Sequence, residues 1–416
     1  MPRRSKRHDA NEPKDETAPA KPRAAVYAPG LKAGFRATAQ RVQDMHHAIA
    51  DKTFGVLQKV PVVSLPARVV QGAHDAITDG VYAAVRAGGH AALSVAGAAE
   101  AMSLDPARRV GPSEQAVRSA LNGVFGDHLA EDGSPLAADL DFHLDGAPLE
   151  LDGPVVEGLQ PNVLIFIHGL ACDERSWFRR STSGSVSEGS YGERLAAERP
   201  VSALYVRYNT GMPVEHNARR LGERIEALLA AAPQVRDLAI VGHSMGGLVA
   251  RSACDLAVQD GASWLRAVSV LMCLGTPHRG APLERLGHLA SMALNLSKVT
   301  RPLAQVANAR SRGIKDLRHG LRGQGAALSV PVRLLAARLA DDDASPASAM
   351  MSALLGDGLV MPSSAADGDL RGDVQREELR GIGHMGLLND ARVYEIVRRW
   401  WDETRPALVT GAAPRG

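Results

Sequence analysis

Apolar residues follow a helical pattern in the first third of the chain and a strand pattern after it. Residues 1–30 precede both patterns and mix Pro, Lys, Arg, Asp and Glu with almost no large apolar side chains. Such a segment cannot bury enough surface to offset the entropy of ordering, so it is predicted to be a disordered tail. From residue 31 to 133, apolar residues recur at three- and four-residue steps, as in the run from Val70 to Val85. This period predicts an N-terminal region of amphipathic helices.

The predicted N-terminal helices are interrupted by helix-breaking residues. We expect two or three helices with breaks near Pro61, near Pro66 and at Gly88-Gly89. A further helix is predicted from Ser113 to Ala130, with Ser113 as its N-cap. The apolar stripes of these helices could pack on the rest of the chain, pair with another subunit or lie on a lipid surface. Their many alanines favour protein packing, because small side chains contribute little apolar area.

From residue 134 to 402, short apolar runs alternate with helical stretches. A hairpin is predicted around Asp145-Gly146, a dipeptide suited to a type I′ turn. Five further runs are typical of buried strands: 163–167, 203–206, 238–241, 268–273 and 332–335. Helical stretches such as 218–231 and 248–259 lie between several of them. This alternation predicts an α/β fold, with a mainly parallel sheet covered by helices on both faces. Residues 403–416 are predicted to be a flexible tail.

Composition narrows the functional classes. Hydrophobic residues make up 45% and charged residues 23%, which is typical of a soluble globular protein. The net charge is only +2, and four Trp, six Tyr and six Phe offer few stacking platforms, so nucleic-acid binding is not expected. The three cysteines lack metal-site or disulfide spacing. With no signal-peptide pattern and no stretch long enough to span a bilayer, a cytoplasmic location is expected.

A serine between a predicted strand and a predicted helix is the strongest chemical signal. The sequence GHSMGG follows the strand LAIVG and places Ser244 on a sharp turn between glycines. A nucleophilic serine needs such small neighbours, because its strained backbone is crowded by adjacent elements. The alternative is an ordinary serine in a glycine-rich turn. We interpret Ser244 as a catalytic nucleophile.

An acyl-transfer site also needs donors for the negatively charged oxygen of its tetrahedral intermediate. The segment His168-Gly169-Leu170 directly follows the strand VLIFI, so its backbone lies at the end of a strand. We predict an oxyanion hole formed by the backbone N–H groups of Leu170 and Met245. His168 itself is expected to brace the loop rather than to take part in catalysis.

The acid and base of a Ser-Asp-His triad should follow the serine in that order along the chain. Asp357 lies in the segment GDGLV after the strand 332–335, and His384 lies in the glycine-bounded loop GIGHMG, 27 residues further on. His384 would accept the serine proton and then protonate the leaving alcohol, while Asp357 would hold its tautomer.

Other residues compete for these two roles. The run Asp341, Asp342, Asp343 lies closer to the strand end, and Asp367 is also in range. The competing histidines are His278, His288 and His319. A run of three aspartates is more often a solvated turn, so Asp357 and His384 are preferred.

Four motifs together resemble the α/β-hydrolase superfamily: LIFIHGL, GHSMGG, GTPHRGAP, and GDGLV with GIGHMGLL. Within it, the chain is similar to bacterial triacylglycerol lipases and esterases and to the lipase-like inositol-deacylase group, over roughly residues 150–402. The resemblance implies ester hydrolysis through Ser244, Asp357 and His384, with an acyl-enzyme intermediate and no cofactor. Calcium-dependent lipases place an aspartate two residues after the histidine, where this chain has Gly386. No metal is therefore expected.

The segment 281–325 is predicted to form helices, inserted where this fold usually carries a cap. It is interpreted either as a mobile lid over an apolar acyl pocket or as a fixed helical cover. The expected partner is a small-molecule ester or lipid, with contact to a lipid surface and the oligomeric state left open. Two alternatives to hydrolysis remain: an acyltransferase or polyester depolymerase with the same triad, and a non-catalytic lipid-surface protein.

Overall fold

An eight-stranded sheet forms the centre of the fold. The computed structural model describes residues 27–59, 64–103, 111–178, 189–281, 311–321, 328–339, 357 and 360–404. The strands are β1 (Asp141–Leu144), β2 (Ala147–Pro148), β3 (Asn162–Ile167), β4 (Ser202–Arg207), β5 (Asp237–His243), β6 (Val268–Leu274), β7 (Val332–Arg338) and β8 (Val374–Arg380). Their order in the sheet is β2-β1-β4-β3-β5-β6-β7-β8. Strands β3 to β8 run parallel, and β1 pairs antiparallel with both β2 and β4.

Helices cover both faces of this sheet. The helices are α1 (Tyr27–Leu57), α2 (Ser64–Ser103), α3 (Pro112–Glu131), α4 (Pro154–Glu157), α5 (Tyr191–Glu198), α6 (Val214–Ala231) and α7 (Met245–Asp260), followed by the helices Arg312–His319, Pro362–Ala365 and Ala391–Thr404. Short 3₁₀ turns span Glu174–Phe178, Ser263–Ala267 and His384–Leu388. The side chains of Val163, Ile165 and Ile167 on β3 share one core with α6 and α7. Those of Leu164 and Phe166 alternate into a second core with α5 and the helix Ala391–Thr404. The α/β fold class is confirmed.

The predicted hairpin also forms. Asp145 and Gly146 have φ angles of 50° and 79°, as a type I′ turn requires at both central residues. Two details of the N-terminal helices were wrong. Helix α2 continues through Gly88-Gly89 without a break, and α3 starts at Pro112 with Gly111 as its N-cap instead of Ser113. A proline at the first helical position lacks only an N–H that would be unbonded there, so it can start the helix.

Helix α3 belongs to the main core although it lies within the predicted N-terminal region. Its buried side chains Leu121, Val124, Phe125 and Leu129 share a core with β3 and α7. A Cβ atom built on Gly126 would lie 1.9 Å from Asn209 Oδ1, so α3 sits directly against the loop after β4. Helix α3 is thus part of the packing that supports the sheet.

Helices α1 and α2 form a hairpin that reaches the core through α3. Gly34 of α1 packs on the Phe125 ring, and Arg36 forms an ion pair with Asp132 at 2.6 Å. In the part of the chain that the structure describes, no helix has the length and apolar character needed to cross a membrane.

The described part of the segment 281–325 is anchored rather than exposed. Ile314 and Leu317 on the helix Arg312–His319 are buried in the main core. Ser311 Oγ donates to the Gly123 carbonyl of α3 at 2.7 Å, and the Gly313 N–H donates to the Gly211 carbonyl at 3.0 Å. Residues 282–310 and 322–327, which make up most of the predicted lid, lie outside the described residues.

Candidate active site

Ser244 lies at a sharp turn between β5 and α7. Its backbone has φ 55° and ψ −123°, a conformation that residues other than glycine rarely adopt. Two backbone hydrogen bonds hold the turn, from the Ser244 N–H to the Leu274 carbonyl at 2.9 Å and from the Gly247 N–H to the Ser244 carbonyl at 3.1 Å. A serine held in this strained conformation at a strand-to-helix turn has the geometry of a nucleophile elbow.

Glycines near Ser244 are required by close approaches of the backbone. A Cβ atom built on Gly246 would lie 2.3 Å from the Ile167 carbonyl oxygen, and one built on Gly169 would lie 2.9 Å from Ser244 Cβ. A larger residue at either position would force the neighbouring segment to move. The glycines of the motif therefore let the end of β3 approach the serine.

His384 and Asp357 form a buried, hydrogen-bonded pair. His384 Nδ1 lies 2.6 Å from Asp357 Oδ2, and both side chains are almost completely buried. The second carboxylate oxygen, Oδ1, accepts a hydrogen bond from the Val360 N–H at 2.7 Å. Because Nδ1 donates to the carboxylate, the neutral imidazole carries its lone pair on Nε2, where it can accept a proton.

The pair and Ser244 meet at the end of β6. A Cβ atom built on Gly275, which directly follows β6, would lie 3.3 Å from both Asp357 Oδ2 and His384 Nδ1. The preceding residue, Leu274, accepts the hydrogen bond from the Ser244 N–H. All three predicted residues therefore lie at the same end of the parallel strands. Among the contacts of the described residues, no hydrogen bond joins Ser244 Oγ to His384; in unliganded enzymes such bonds often tighten only with substrate.

His243 contacts both the backbone and the ring of His384, a role that the sequence did not indicate. Its Nε2 donates to the His384 carbonyl at 3.0 Å, and the two rings lie 4.6 Å apart. Burial, assisted by the neighbouring His384, lowers the pKa of His243 to about 3. His243 is therefore neutral and holds the backbone of the loop that carries His384.

The loop after β3 is braced by His168, as expected. The His168 ring stacks on Tyr208 with centroids 4.6 Å apart, and Tyr208 Oη donates to the His168 carbonyl at 2.8 Å. Burial lowers the pKa of His168, so its imidazole is neutral. These contacts fix the backbone immediately before Gly169 and Leu170.

Of the two predicted oxyanion donors, Met245 directly follows Ser244 along the chain, and Leu170 belongs to the loop that lies beside Ser244. Leu170 directly follows Gly169, which faces Ser244 Cβ. Leu170 is buried, and its N–H donates to no acceptor within the described ranges. Met245 is the first residue of α7, and the first N–H groups of a helix have no acceptor inside the helix. Both N–H groups are therefore available to a negatively charged oxygen.

The described residues among the competing aspartates and histidines lie outside the Asp357–His384 pair. Asp367 Oδ2 lies 2.5 Å from Arg251 Nη1, and both side chains are buried. His278 Nδ1 lies 3.2 Å from the same guanidinium nitrogen, and burial and Arg251 hold the pKa of His278 well below its usual range. His319 is exposed at the end of its helix. Asp341, Asp342, Asp343 and His288 lie outside the described residues.

The sequence did not predict this second buried cluster. Arg251 lies two turns after Ser244 on α7, so its ion pair joins the helix behind the serine to the segment that follows Asp357. No motif marks the pair, because Arg251 and Asp367 are separated by more than a hundred residues.

The residues that the structure describes contain no group of three or more His, Cys, Asp or Glu side chains placed to hold a metal ion.

Comparison with known protein families finds a match to part of the chain. Residues 159–319 match the family model of the PGAP1-like alpha/beta domain. No curated protein sequence matches the chain.

Solved structures similar to this chain include bacterial lipases and esterases. The mature lipase BlEst2 of Bacillus licheniformis is 17% identical, over 62% of this chain and 97% of that one, with a TM-score of 0.39. A lipase-esterase related protein of Clostridium acetobutylicum is 12% identical, over 64% and 100% of the two chains, with a TM-score of 0.39. The esterase RhEst1 of Rhodococcus sp. is 16% identical, over 64% and 95%, with a TM-score of 0.37. Such low similarity does not transfer the chemistry of these enzymes. The strand order shows an α/β fold, and within it residues 159–319 are similar to the PGAP1-like alpha/beta domain.

Proposed function

We propose that this chain is a serine hydrolase that cleaves carboxylic esters, with Ser244 as its nucleophile. The observation that carries the proposal is the buried Asp357–His384 pair, which lies against the same end of β6 that binds the Ser244 backbone. A histidine oriented by a carboxylate beside a strained serine is the arrangement that activates a hydroxyl for acyl transfer.

In the first half of the proposed reaction, Ser244 Oγ attacks the ester carbonyl carbon and His384 Nε2 takes its proton. The imidazolium that forms is stabilised by the Asp357 carboxylate 2.6 Å from Nδ1. The negative charge on the carbonyl oxygen is bound by the N–H groups of Leu170 and Met245. His384 then donates the proton to the leaving alcohol, and an acyl-serine remains.

In the second half, water replaces the alcohol. His384 Nε2 takes a proton from the water as its oxygen attacks the acyl-serine carbonyl, and the same N–H groups bind the second oxyanion. The Ser244 Oγ bond to the acyl carbon breaks, Ser244 regains its proton from His384, and the acid leaves. All atoms come from the ester and water, so the cycle needs no cofactor. We propose that the acyl group is apolar and of medium length or lipid-like.

Hydrolysis of p-nitrophenyl esters of increasing acyl length tests this function. Ser244→Ala should lower kcat by about 10⁴ to 10⁶ while the fold is retained. Ser263→Ala is the matched control, because Ser263 is exposed beyond the opposite end of α7 and its hydroxyl donates only to Glu226 among the described residues, and it should leave kcat unchanged. Retained activity in Ser244→Ala would contradict the proposal. Product analysis with an added alcohol would separate hydrolysis from acyl transfer.

A further inference from the structure

Helix α3 packs against the loop that follows β3, residues 169–173, which we call the oxyanion loop because it carries Leu170. A Cβ atom built on Gly123 of α3 would lie 2.7 Å from Ala171 Cβ and 2.9 Å from Ala171 Cα. The helix backbone therefore contacts the residue that directly follows the proposed oxyanion donor. Only a glycine at position 123 leaves room for this contact.

Ala171 has a backbone conformation that needs such support. Its φ angle is 56°, a value that residues with a Cβ atom rarely adopt unless the surrounding structure holds them there. A hydrogen bond from the Cys172 N–H to the Gly169 carbonyl at 3.3 Å closes the turn. Leu170 lies inside this turn, so a change in the conformation of Ala171 would move the Leu170 N–H.

The N–H of Ala171 is held from the other side, by the loop that follows β4. It donates to Thr210 Oγ1 at 3.1 Å, so it is already bonded, and Leu170 remains the donor that this turn can offer to an oxyanion. Helix α3 fixes this second loop as well, because Asn209 Nδ2 donates to the Gly126 carbonyl at 2.8 Å. Ala171 is therefore held by α3 both directly and through the loop after β4.

A buried carboxylate joins the far end of the oxyanion loop to α3. Ser119 Oγ lies 3.0 Å from Asp173 Oδ2 and 2.9 Å from the Gln115 carbonyl oxygen of its own helix, and the carboxylate is the stronger acceptor for its one proton. The other oxygen of Asp173 accepts a hydrogen bond from the Arg175 N–H at 3.1 Å. Ser119 and Asp173 are only 7% and 8% exposed, so water weakens their contact little.

Helix α3 is itself fixed to the core of the fold. Its side chains Leu121 and Phe125 are buried among those of the sheet and α7. Asn122 donates from Nδ2 to the Leu136 carbonyl at 2.7 Å and accepts at Oδ1 from the Ala138 N–H at 2.9 Å. A hydrogen-bond donor held by a rigid support does not have to reorient when charge develops during a reaction.

We propose that helix α3 positions the oxyanion loop, with Gly123 and Ser119 as positioning residues for the Leu170 N–H. This inference rests on the proposed ester hydrolysis. An oxyanion donor stabilises the transition state only if it points at the place that the negative oxygen will occupy, and a misplacement of about 1 Å can cost about 100-fold in rate. Helix α3 therefore acts on kcat through Leu170, without a group of its own on the substrate.

The first test compares two glycine-to-alanine changes within helices of the full-length chain. Gly123→Ala should displace the oxyanion loop and lower kcat for p-nitrophenyl esters by about 10- to 100-fold, with KM changed by less than about threefold. Gly72→Ala is the matched control, since a Cβ atom there would meet nothing within 4 Å among the described residues, and it should leave kcat unchanged. A wild-type kcat in Gly123→Ala would contradict the inference.

The second test removes a hydrogen bond without adding bulk. Ser119→Ala frees Asp173 from α3, and we expect kcat to fall by about 10-fold with little change in KM. Ser202→Ala is the matched control. It removes a hydroxyl that accepts from the Gln160 N–H at 3.0 Å at the start of β4, the opposite end of the sheet from Ser244. This control should keep the wild-type kcat.

Two further measurements separate positioning from a general loss of structure. An aryl trifluoromethyl ketone forms a tetrahedral adduct with an activated serine, and the oxyanion of this adduct needs the same donors. Its inhibition constant should therefore rise in Gly123→Ala by about the same factor as kcat/KM falls. The pH profile of kcat/KM should keep its wild-type midpoint, because both substitutions leave the Asp357–His384 hydrogen bond in place.

Two results would overturn the inference while ester hydrolysis stands. One is a lowered melting temperature with unchanged kcat in both variants, which would show that α3 only supports the fold. The other is a shifted pH profile, which would show that the substitutions disturb His384 instead of the oxyanion loop. A wild-type chain that hydrolyses no ester and takes no fluorophosphonate label would instead overturn the proposed function, and this inference with it.

Discussion

Two buried carboxylates follow β7, and their different partners determine what each can do. Asp357 faces His384, a base whose charge can change during a reaction. Asp367 faces Arg251, which is always charged, so this second pair is a fixed structural contact. At the scale of single residues, chemical role thus depends on which partner the fold places beside each acid.

Replacing Asp357 tests the first of these roles. Asp357→Asn should lower kcat for ester hydrolysis by about 10³ to 10⁴, because the amide no longer holds His384 in the tautomer that accepts the serine proton. KM should change little. Asp369→Asn is the control, since Asp369 is exposed and, among the described residues, makes a single ion pair, with Arg279 at 3.9 Å. Full activity in Asp357→Asn would assign the acid to another residue.

Replacing Arg251 tests the second role. Arg251→Met leaves the Asp367 carboxylate buried without its guanidinium, and we expect the free energy of unfolding to fall by about 3–5 kcal/mol in urea titrations. The double variant Arg251→Met/Asp367→Asn should recover part of this loss, because the buried charge is removed with its partner. A single variant as stable as the wild type would show that the pair does not hold the two segments together.

At the scale of elements, apolar patterning predicted the strands that are buried on both faces. The runs at 163–167, 238–241 and 268–273 all became central parallel strands, because each can only be covered by helices above and below. Strand β8 escaped prediction. Its sequence VQREELR is dominated by charged side chains, which an edge strand paired only with β7 can direct to solvent.

The same contrast applies to the candidate site. The positions of Ser244, Asp357 and His384 could be predicted because glycine-rich turns after apolar runs mark strand ends. The contacts of His243 with the His384 carbonyl and of Arg251 with Asp367 could not, since they depend on which distant segments pack together. Similarly, local glycine propensity suggested a break at Gly88-Gly89, but the helix continues there.

The position of helix α3 predicts how far the N-terminus can be shortened before the fold is lost. Its side chains, including the fully buried Phe125, lie in the core with the sheet, whereas α1 and α2 lie outside it. Deleting residues 1–103 should therefore leave a folded domain that hydrolyses short esters. Deleting residues 1–131 should remove part of the core and give aggregated or strongly destabilised protein. Circular dichroism and ester assays on the two truncations check this, and equal stability would contradict it.

At the scale of the whole molecule, four buried histidines link folding to pH. Burial lowers the pKa of His143, His168, His243 and His278 below the usual 6.5 of histidine, for His243 to about 3. Below pH 6.5 the unfolded chain binds protons at these residues and the folded chain does not. Each histidine therefore removes up to about 1.4 kcal/mol of stability per pH unit as the pH falls towards its folded pKa.

Asp255 has the opposite effect on the pH dependence of the free energy of unfolding. Burial raises its pKa to about 6, so between pH 6 and its ordinary value the folded state binds a proton that the unfolded state does not. This offsets the effect of about one of the four histidines. Urea unfolding at pH 8, 7, 6 and 5 should show stability falling steeply below about pH 6.5, and His278→Asn should reduce the slope by about one proton. A flat profile would contradict neutral, buried histidines.

The central claim, that Ser244 is an activated nucleophile, is tested most directly by covalent labelling. A fluorophosphonate reacts with serines whose hydroxyl is activated by a neighbouring base and spares ordinary serines. Mass spectrometry of the treated full-length chain should find one adduct, on the peptide that contains Ser244, and none in Ser244→Ala or after replacement of His384 by Ala. Absence of the adduct in the folded wild-type chain, or an adduct that persists in Ser244→Ala, would contradict the account.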